Sequence, residues 1–299
     1  MKLGFGIPVS GSWATPANIV EISRAAERLG YDSLWSFQRT IYPYDDSIPA
    51  PYRSVHDPVA ISAYVAAVTE RVRIGLAIVN LPFYSPLVLA KMLTSIDLLS
   101  DGRLDAGLGL GWNPDEFAAA GVPMERRGAR AEDFIACLRA IWTQDPVEHH
   151  GEFYDVPRGR VDPRPVQQPH PPILLGGSAE PALRRAARLA EGWVSASRFP
   201  AAKLPEATRT IRSEAEAVGR DPSSFRIVIR GAVRVRANDE EQQLSGTVDK
   251  IRREIAEYAE QGATELFVDL NFDELIGSPA ADPAESMRRA HEALEAFAP

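Results

Sequence analysis

Residues Val72–Gly109 read VRIGLAIVNLPFYSPLVLAKMLTSIDLLSDGRLDAGLG, and their reading decides the fold. The β-rich run Val72–Val79 is a strand, and Pro86–Leu99 carries the apolar spacing of a helix. The turn pair Asp101-Gly102 follows, and Arg103–Gly109 is a further strand. Short strands alternating with amphipathic helices imply a parallel sheet.

The same alternation extends in both directions. Upstream lie a strand at Leu3–Pro8, a helix at Pro16–Leu29 with Thr15 as N-cap, a strand at Ser33–Phe37 and a helix capped by Asp57-Pro58. Downstream, Gly128–Thr143 is helical, with Phe134, Leu138, Ile141 and Trp142 on one stripe. Strands at Ile173–Leu175, Trp193–Ala196, Phe225–Val235 and Glu265–Leu270 precede helices near Glu180–Ala190, Ala201–Val218, Gly246–Gln261 and Pro283–Phe297. Eight such pairs in 299 residues predict an α/β fold, a closed (β/α)8 TIM barrel, with an open doubly wound sheet as the alternative. The segment Gln144–Pro172 is too long for an ordinary connection. Its part Val147–Val156 is expected to be an inserted hairpin before the fifth strand, laid over the barrel. No linker divides the chain, so residues 1–299 are expected to be one domain.

A net charge of −8 argues against nucleic acid or an anionic membrane as the main partner. It also requires local arginines wherever a polyanionic ligand binds. The single cysteine, Cys137, sits at helical spacing in FIACLRAIW and is expected to be a buried thiol. His149-His150 would point to opposite faces of a strand, so no metal site is expected. No signal peptide is visible and the longest apolar run, Val59–Val68, is too short to span a bilayer, so a cytoplasmic protein is expected.

Ligands of such barrels bind at the C-terminal ends of the strands. Those ends supply Ile7 and Pro8, Phe37 and Gln38, Ala77 to Asn80, Gly109 to Trp112, Gly176 to Ser178, and Ser195. This rim is apolar, rich in glycine and poor in paired acids, which suits a large planar redox cofactor. Gly107, Gly109 and Gly111 fall at the first, third and fifth positions, not the first, third and sixth of a dinucleotide fingerprint. Bare backbone there would let a flat group come close; an ordinary glycine-rich turn is the other reading. Gly176, Gly177 and Ser178 precede a helix, where free N–H groups form a phosphate cradle or merely a capped junction.

GYDSLW (Gly30–Trp35), ERVRIGLAI (Glu70–Ile78), SPLVLAKMLTSIDLLSDGRL (Ser85–Leu104), GLGLGWNPDEF (Gly107–Phe117), GVPMERRGAR (Gly121–Arg130) and PPILLGGSAEPALRRAARLAEGW (Pro171–Trp193) carry a resemblance that spans nearly the whole chain. Together they resemble the bacterial luciferase-like family of flavin and deazaflavin oxidoreductases, most closely its actinobacterial subgroup dependent on coenzyme F420. The resemblance implies a cofactor at the mouth of the barrel, backed by a non-prolyl cis peptide at Ala77–Ile78. With Asn80 and Trp112 beside them, Gly109 and Gly111 would approach the ring. Gly176, Gly177 and Ser178 would hold the phosphate, helped by Arg184 or Arg185.

One departure matters. Deazaflavin relatives often carry Asp-His after the second strand, where this chain reads Phe37-Gln38-Arg39. The proton donor must therefore come from elsewhere: Gln38 is able to bind a substrate carbonyl, and Glu116, Tyr42, Asp45 and Asp46 are the acidic candidates. The expectation is an F420-dependent oxidoreductase exchanging a hydride with a small-molecule substrate, and a homodimer. The loop Gln38–His56, with Tyr42, Tyr44 and Tyr52, would partly cover that substrate. FMN is the alternative cofactor, in a two-component monooxygenase. A cofactor-binding protein without turnover and a cofactor-free lyase or isomerase are the remaining readings.

Overall fold

Eight parallel strands close into a ring: β1 (Lys2–Gly6), β2 (Ser33–Ser36), β3 (Arg73–Leu76), β4 (Leu104–Gly109), β5 (Ile173–Gly176), β6 (Gly192–Val194), β7 (Arg226–Ala232) and β8 (Glu265–Asp269). The computed structural model describes residues 1–299. Each strand pairs with its successor, and β8 pairs back onto β1 in the register Lys2↔Glu265 to Phe5↔Val268. That last ladder excludes the open sheet. The two-residue strand Val79–Asn80 extends β3 and pairs with the end of β4.

Each strand is followed by a helix: α1 (Pro16–Arg28), α2 (Pro58–Val68), α3 (Pro86–Leu99), α4 (Arg127–Thr143), α5 (Glu180–Leu189), α6 (Leu204–Ala217), α7 (Val248–Glu260) and α8 (Pro283–Ala296). Thr15, Asp57, Ser85, Thr247 and Asp282 cap α1, α2, α3, α7 and α8 with side-chain oxygens. Each cap satisfies a donor the helix cannot, worth about 1 kcal/mol. Cys137 is fully buried in α4, and burial pushes its thiol up to about 11. No helix is long and apolar enough to cross a membrane.

Three layers fill the ring. At the end where the strands begin, the fully buried Asp105 accepts from Arg73 and Arg226, and Arg226 also reaches Glu265. Above this ionic plug, Trp35 stacks on Phe267 at 5.1 Å among Leu174, Val194 and Val228. The third layer, at the strands' C-terminal ends, holds the buried Arg230–Asp269 pair, 2.8 Å apart.

The inserted hairpin exists, as the antiparallel pair Val147–His150 and Asp155–Gly159, but it does not cover the barrel. It docks on the outside of α4, whose Asp133 accepts from Phe153 N at 2.6 Å and Tyr154 N at 3.1 Å and bonds His149 Nε2 at 2.8 Å. That carboxylate, with buried Val147 and Val156, holds the hairpin on the helix. Burial alone raises an acid, yet these donors more than offset it and hold the Asp133 carboxyl below its usual range. A depressed acid stabilises the fold above its unfolded pKa, and that contribution is lost as pH falls through the folded value. Asp133→Asn is expected to cost about 1–3 kcal/mol near neutrality and to flatten the acid side of the Tm–pH curve. Identical melting of both proteins at neutral pH would refute the assignment.

Candidate functional site

The strand ends enclose a cavity of about 740 Å³. Gln38, Ala77, Ile78, Asn80, Gly109, Gly111, Trp112, Gly176, Gly177 and Ser178 all line it. Its lining also includes the segment Ala77–Ile78, whose peptide bond is cis, together with Val194. These residues come from the ends of five strands, β2 to β6, scattered along the chain, and only the fold of the barrel brings them together.

The glycines act differently from the expectation. A Cβ on Gly109 would lie 2.2 Å from Ile78 Cδ1, so the space it vacates is filled by that side chain rather than left for a ligand. A Cβ on Gly107 would lie 1.6 Å from the Leu76 carbonyl oxygen, which makes this glycine a condition of the β3–β4 packing. Gly111 adopts φ +73°, a left-handed turn, with Phe117 against its open side. Two of the three thus line the site through their backbone while protein atoms occupy the gap.

The two catalytic candidates, Gln38 for a substrate carbonyl and Glu116 for a proton, are both engaged by protein groups. Gln38 Oε1 accepts from Asn80 N at 2.8 Å, which fixes its amide orientation, and its Nε2 donates to Tyr84 Oη at 2.8 Å. It is a brace between β2 and the end of β3. Glu116 does not reach the cavity: it is 2% exposed, takes Thr40 N at 2.7 Å on one oxygen and faces Arg39 at 2.8 Å with the other. A carboxylate so enclosed is a partner for Arg39, not a proton donor to a ligand. Tyr42 bonds the Ile48 carbonyl and Tyr44 is fully exposed; neither they nor Asp45 and Asp46 line the cavity. The loop contributes Ile48, Pro49 and Tyr52 instead.

Of the arginines that give the cavity its charge, sequence reading named only Arg185. Arg39, Arg127, Arg185, Arg198 and Arg230 line the cavity and no Asp or Glu does, in a chain of net charge −8. Arg39, Arg185 and Arg230 face Glu116, Glu132 and Asp269, whereas Arg127 and Arg198 have no carboxylate within 4.0 Å. Arg184, by contrast, points away to Glu180 and Glu214. Arg230 sits between the rings of Phe37 and Phe272, at 4.4 and 4.3 Å, and donates to the Ala77 carbonyl at 3.1 Å. A period-of-two count along β7, Arg226–Val228–Arg230, would have turned it inward.

The N-termini of α4 and α5 open on this cavity through Arg127, Gly128, Ser178 and Ala179. Ser178 is not the cap of α5: Ala179 holds that position and gives no side-chain bond, and α4 likewise has none. The Arg127, Gly128 and Ala129 N–H groups of α4 and the Glu180 N–H of α5 therefore remain open to an anion, with the helix dipoles favouring it; Pro181 has no N–H and Ala182 N is taken by the Ala179 carbonyl at 2.8 Å. Trp193 Nε1 donates to the Gly177 carbonyl at 2.6 Å and steadies the loop. An apolar floor beside two uncapped helix ends and unpaired guanidinium groups fits a flat cofactor with an anionic tail.

Comparison with known proteins agrees with this geometry. Residues 4–243 match the family described as luciferase-like monooxygenase. An uncharacterised protein of Mycobacterium tuberculosis is 30% identical over 291 residues, 93% of this chain and 92% of the relative. The FMNH(2)-dependent dimethylsulfone monooxygenase of Pseudomonas putida is 32% identical, covering 74% of this chain and 59% of its own. The F420-dependent glucose-6-phosphate dehydrogenase of Amycolatopsis mediterranei is 31% identical, covering 65% and 58%. Among solved structures, the monooxygenase RslO1 of Streptomyces bottropensis superposes with a TM-score of 0.79 at 24% identity, over 99% of this chain and 98% of its own.

Proposed function

The chain belongs to the luciferase-like monooxygenase family and is an oxidoreductase, and from that premise we propose that its cofactor is coenzyme F420 and that it exchanges a hydride with a small organic substrate. The observation that carries this reading is the positive lining, in which Arg127 and Arg198 have no carboxylate partner. FMN ends in one phosphate, whereas the deazaflavin's tail bears a phosphodiester and several carboxylates. Two uncapped helix N-termini with Arg127, Arg185 and Arg198 offer more donors than one phosphate consumes. Relatives with each cofactor exist, the F420-dependent dehydrogenase at 31% and the FMNH(2)-dependent monooxygenase at 32% identity.

When bound, the deazaflavin supplies hydride chemistry at its C5. Ala77, Ile78, Gly109, Gly176 and Val194 would hold the ring, and Ser178, Ala179, Arg127 and Arg185 the tail. Tyr52, Ile48 and Pro49 exclude water from the outer side, so that a bound substrate meets the ring in a dry, fixed pose. Titrating the purified protein with F420 and with FMN, followed by fluorescence, is expected to show F420 binding at least about tenfold more tightly. Tight FMN binding with no detectable F420 binding sinks the reading and leaves the flavin monooxygenase in its place.

We also propose a homodimer through α2 and α3. Helix α2 contains no charged residue, and Tyr64, Leu87, Val88, Leu98 and Leu99 of the two helices stand exposed. An apolar patch of this kind on adjacent helices marks a protein interface. Light scattering should give twice the chain mass, and Val88→Asp with Leu99→Asp should halve it. A native protein of single-chain mass would contradict the assignment.

A further inference from the structure

A hydride delivered to a substrate carbon must be matched by a proton, and the cavity has few groups able to give one. The side chains that serve as general acids are His, Asp, Glu, Lys, Cys and Tyr. Of these types the lining contains Tyr52 and no other, since its five arginines keep their protons. The serine nearest the floor, Ser195, spends its hydroxyl on the Ala196 carbonyl and accepts from Arg230 N.

The fold holds this phenol in place. The chain reaches it through the 3-10 turn Ala50–Tyr52, closed by Tyr52 N on the Pro49 carbonyl at 3.0 Å. Pro51 beside it is buried, and its carbonyl accepts from Ser10 Oγ. The ring meets Phe272 at 5.1 Å and Phe37 at 6.1 Å, both edge to face, with the Arg39 guanidinium 4.8 Å over its own face. These three neighbours line the cavity as well. Packing therefore fixes the ring, while its hydroxyl bonds no protein group. Tyr52 is partly exposed, and its Oη, unlike the sealed Arg230 NH2, has open space before it. Other tyrosines spend their hydroxyls on protein: Tyr31 on the Leu294 carbonyl, Tyr42 on that of Ile48 and Tyr258 on that of Phe199.

We propose that Tyr52 is the proton donor of the reaction, giving its phenolic proton to the oxygen of an aldehyde or ketone substrate. This deepens the redox reading of the same cavity and rests on it for the source of the hydride. Before the step, the Tyr52 O–H donates a hydrogen bond to the substrate carbonyl. The hydride then brings its electron pair to the carbonyl carbon and forms a C–H bond, and the C=O π pair moves onto oxygen. That oxygen takes the Tyr52 proton as the O–H bond breaks, so the product is an alcohol. The two electrons come from the reduced deazaflavin, and water at the mouth returns a proton to the phenolate. Gln38 and Glu116, engaged by Asn80, Tyr84, Thr40 and Arg39, stand outside this step.

Cyclohexanone and acetophenone test the contact on the apo protein, by calorimetry and by the infrared stretch of the bound carbonyl. The native protein is expected to bind each about three- to tenfold more tightly than Tyr52→Phe. It should also lower the carbonyl stretch, a shift the variant lacks. Tyr52→Phe keeps the ring against Phe37, Phe272 and Arg39, so its melting temperature and F420 affinity should equal the native ones. Loaded with reduced F420, it should reduce aldehydes and ketones at least about a hundredfold more slowly at saturation, with KM raised no more than ketone binding is weakened. Equal ketone binding by the two proteins, or an unshifted carbonyl in the native one, overturns the proposal. So does a variant that turns over at the native rate, one of native melting temperature that loses the cofactor instead, or a loaded native protein that reduces no carbonyl compound. Because the ketone contact is read without cofactor, failure of both F420 and FMN to bind would remove the redox assignment and leave the hydroxyl–carbonyl contact standing.

Discussion

Asp105→Asn is expected to cost about 3–5 kcal/mol, enough to leave much of the protein unfolded at moderate temperature. Asp105 is fully buried and accepts from Arg73 Nε at 3.0 Å, Arg73 NH2 at 2.6 Å, and Arg226 NH1 and NH2 at 2.7 and 2.9 Å. Burial alone would raise this acid, but the two guanidinium groups hold its carboxyl below the usual range. The amide would keep the shape and discard the charge, leaving Glu265 as the one carboxylate for two closely packed cations. Glu265 also binds Ser33 Oγ and Trp35 Nε1, so the damage reaches the stacked ring pair above it. The depressed pKa means that the native contribution is complete above the unfolded carboxylate value and lost as pH falls through the lower folded one. Urea unfolding followed by tryptophan fluorescence measures it. A cost below about 1 kcal/mol would show that the plug behaves like a surface ion pair.

The second large effect concerns ligand affinity. Replacing Arg127 and Arg185 together by alanine is expected to weaken F420 binding at least a hundredfold, because each charge-assisted contact is worth about 1.5–3 kcal/mol. Folding should survive. Arg127 has no carboxylate partner to strand, and Glu132, the partner of Arg185, keeps Arg188 at 3.2 Å. The native affinity should also fall with added salt, as screening weakens the pairing. A ring compound lacking the anionic tail should bind native and double variant alike. Should the double variant hold F420 as tightly as the native protein, the tail does not lie across the α4 and α5 N-termini.

Much of the architecture was legible in the chain. Pro86–Leu99 is a helix over the expected residues, and the other strands and helices differ by a few residues at their ends. Hydrophobic spacing is a local property, read within one turn or one pleat, so it survives the absence of coordinates. The rim positions were equally accessible, because parallel strands in a barrel all end on one side. That logic puts Ala77, Ile78, Asn80, Gly109, Gly111, Trp112 and Gly176 to Ser178 at one end of the barrel, where they line one cavity. It failed where a residue's role depends on what faces it. The hairpin was sent over the mouth because nothing near it in sequence reveals that Asp133 collects its N–H groups.

Sequence alone determined the alternation of strands and helices, the count of eight, and which end of each strand carries the site. Tertiary structure decided the partners: that Ile78 fills the gap beside Gly109, that Glu116 serves Arg39 rather than a ligand, and that Asp105, Arg73, Arg226 and Glu265 form one plug. The residues of these pairings lie from about thirty to well over a hundred positions apart along the chain. Propensity and periodicity act over a few residues, whereas a buried charge is satisfied by whatever the closed ring sets opposite it.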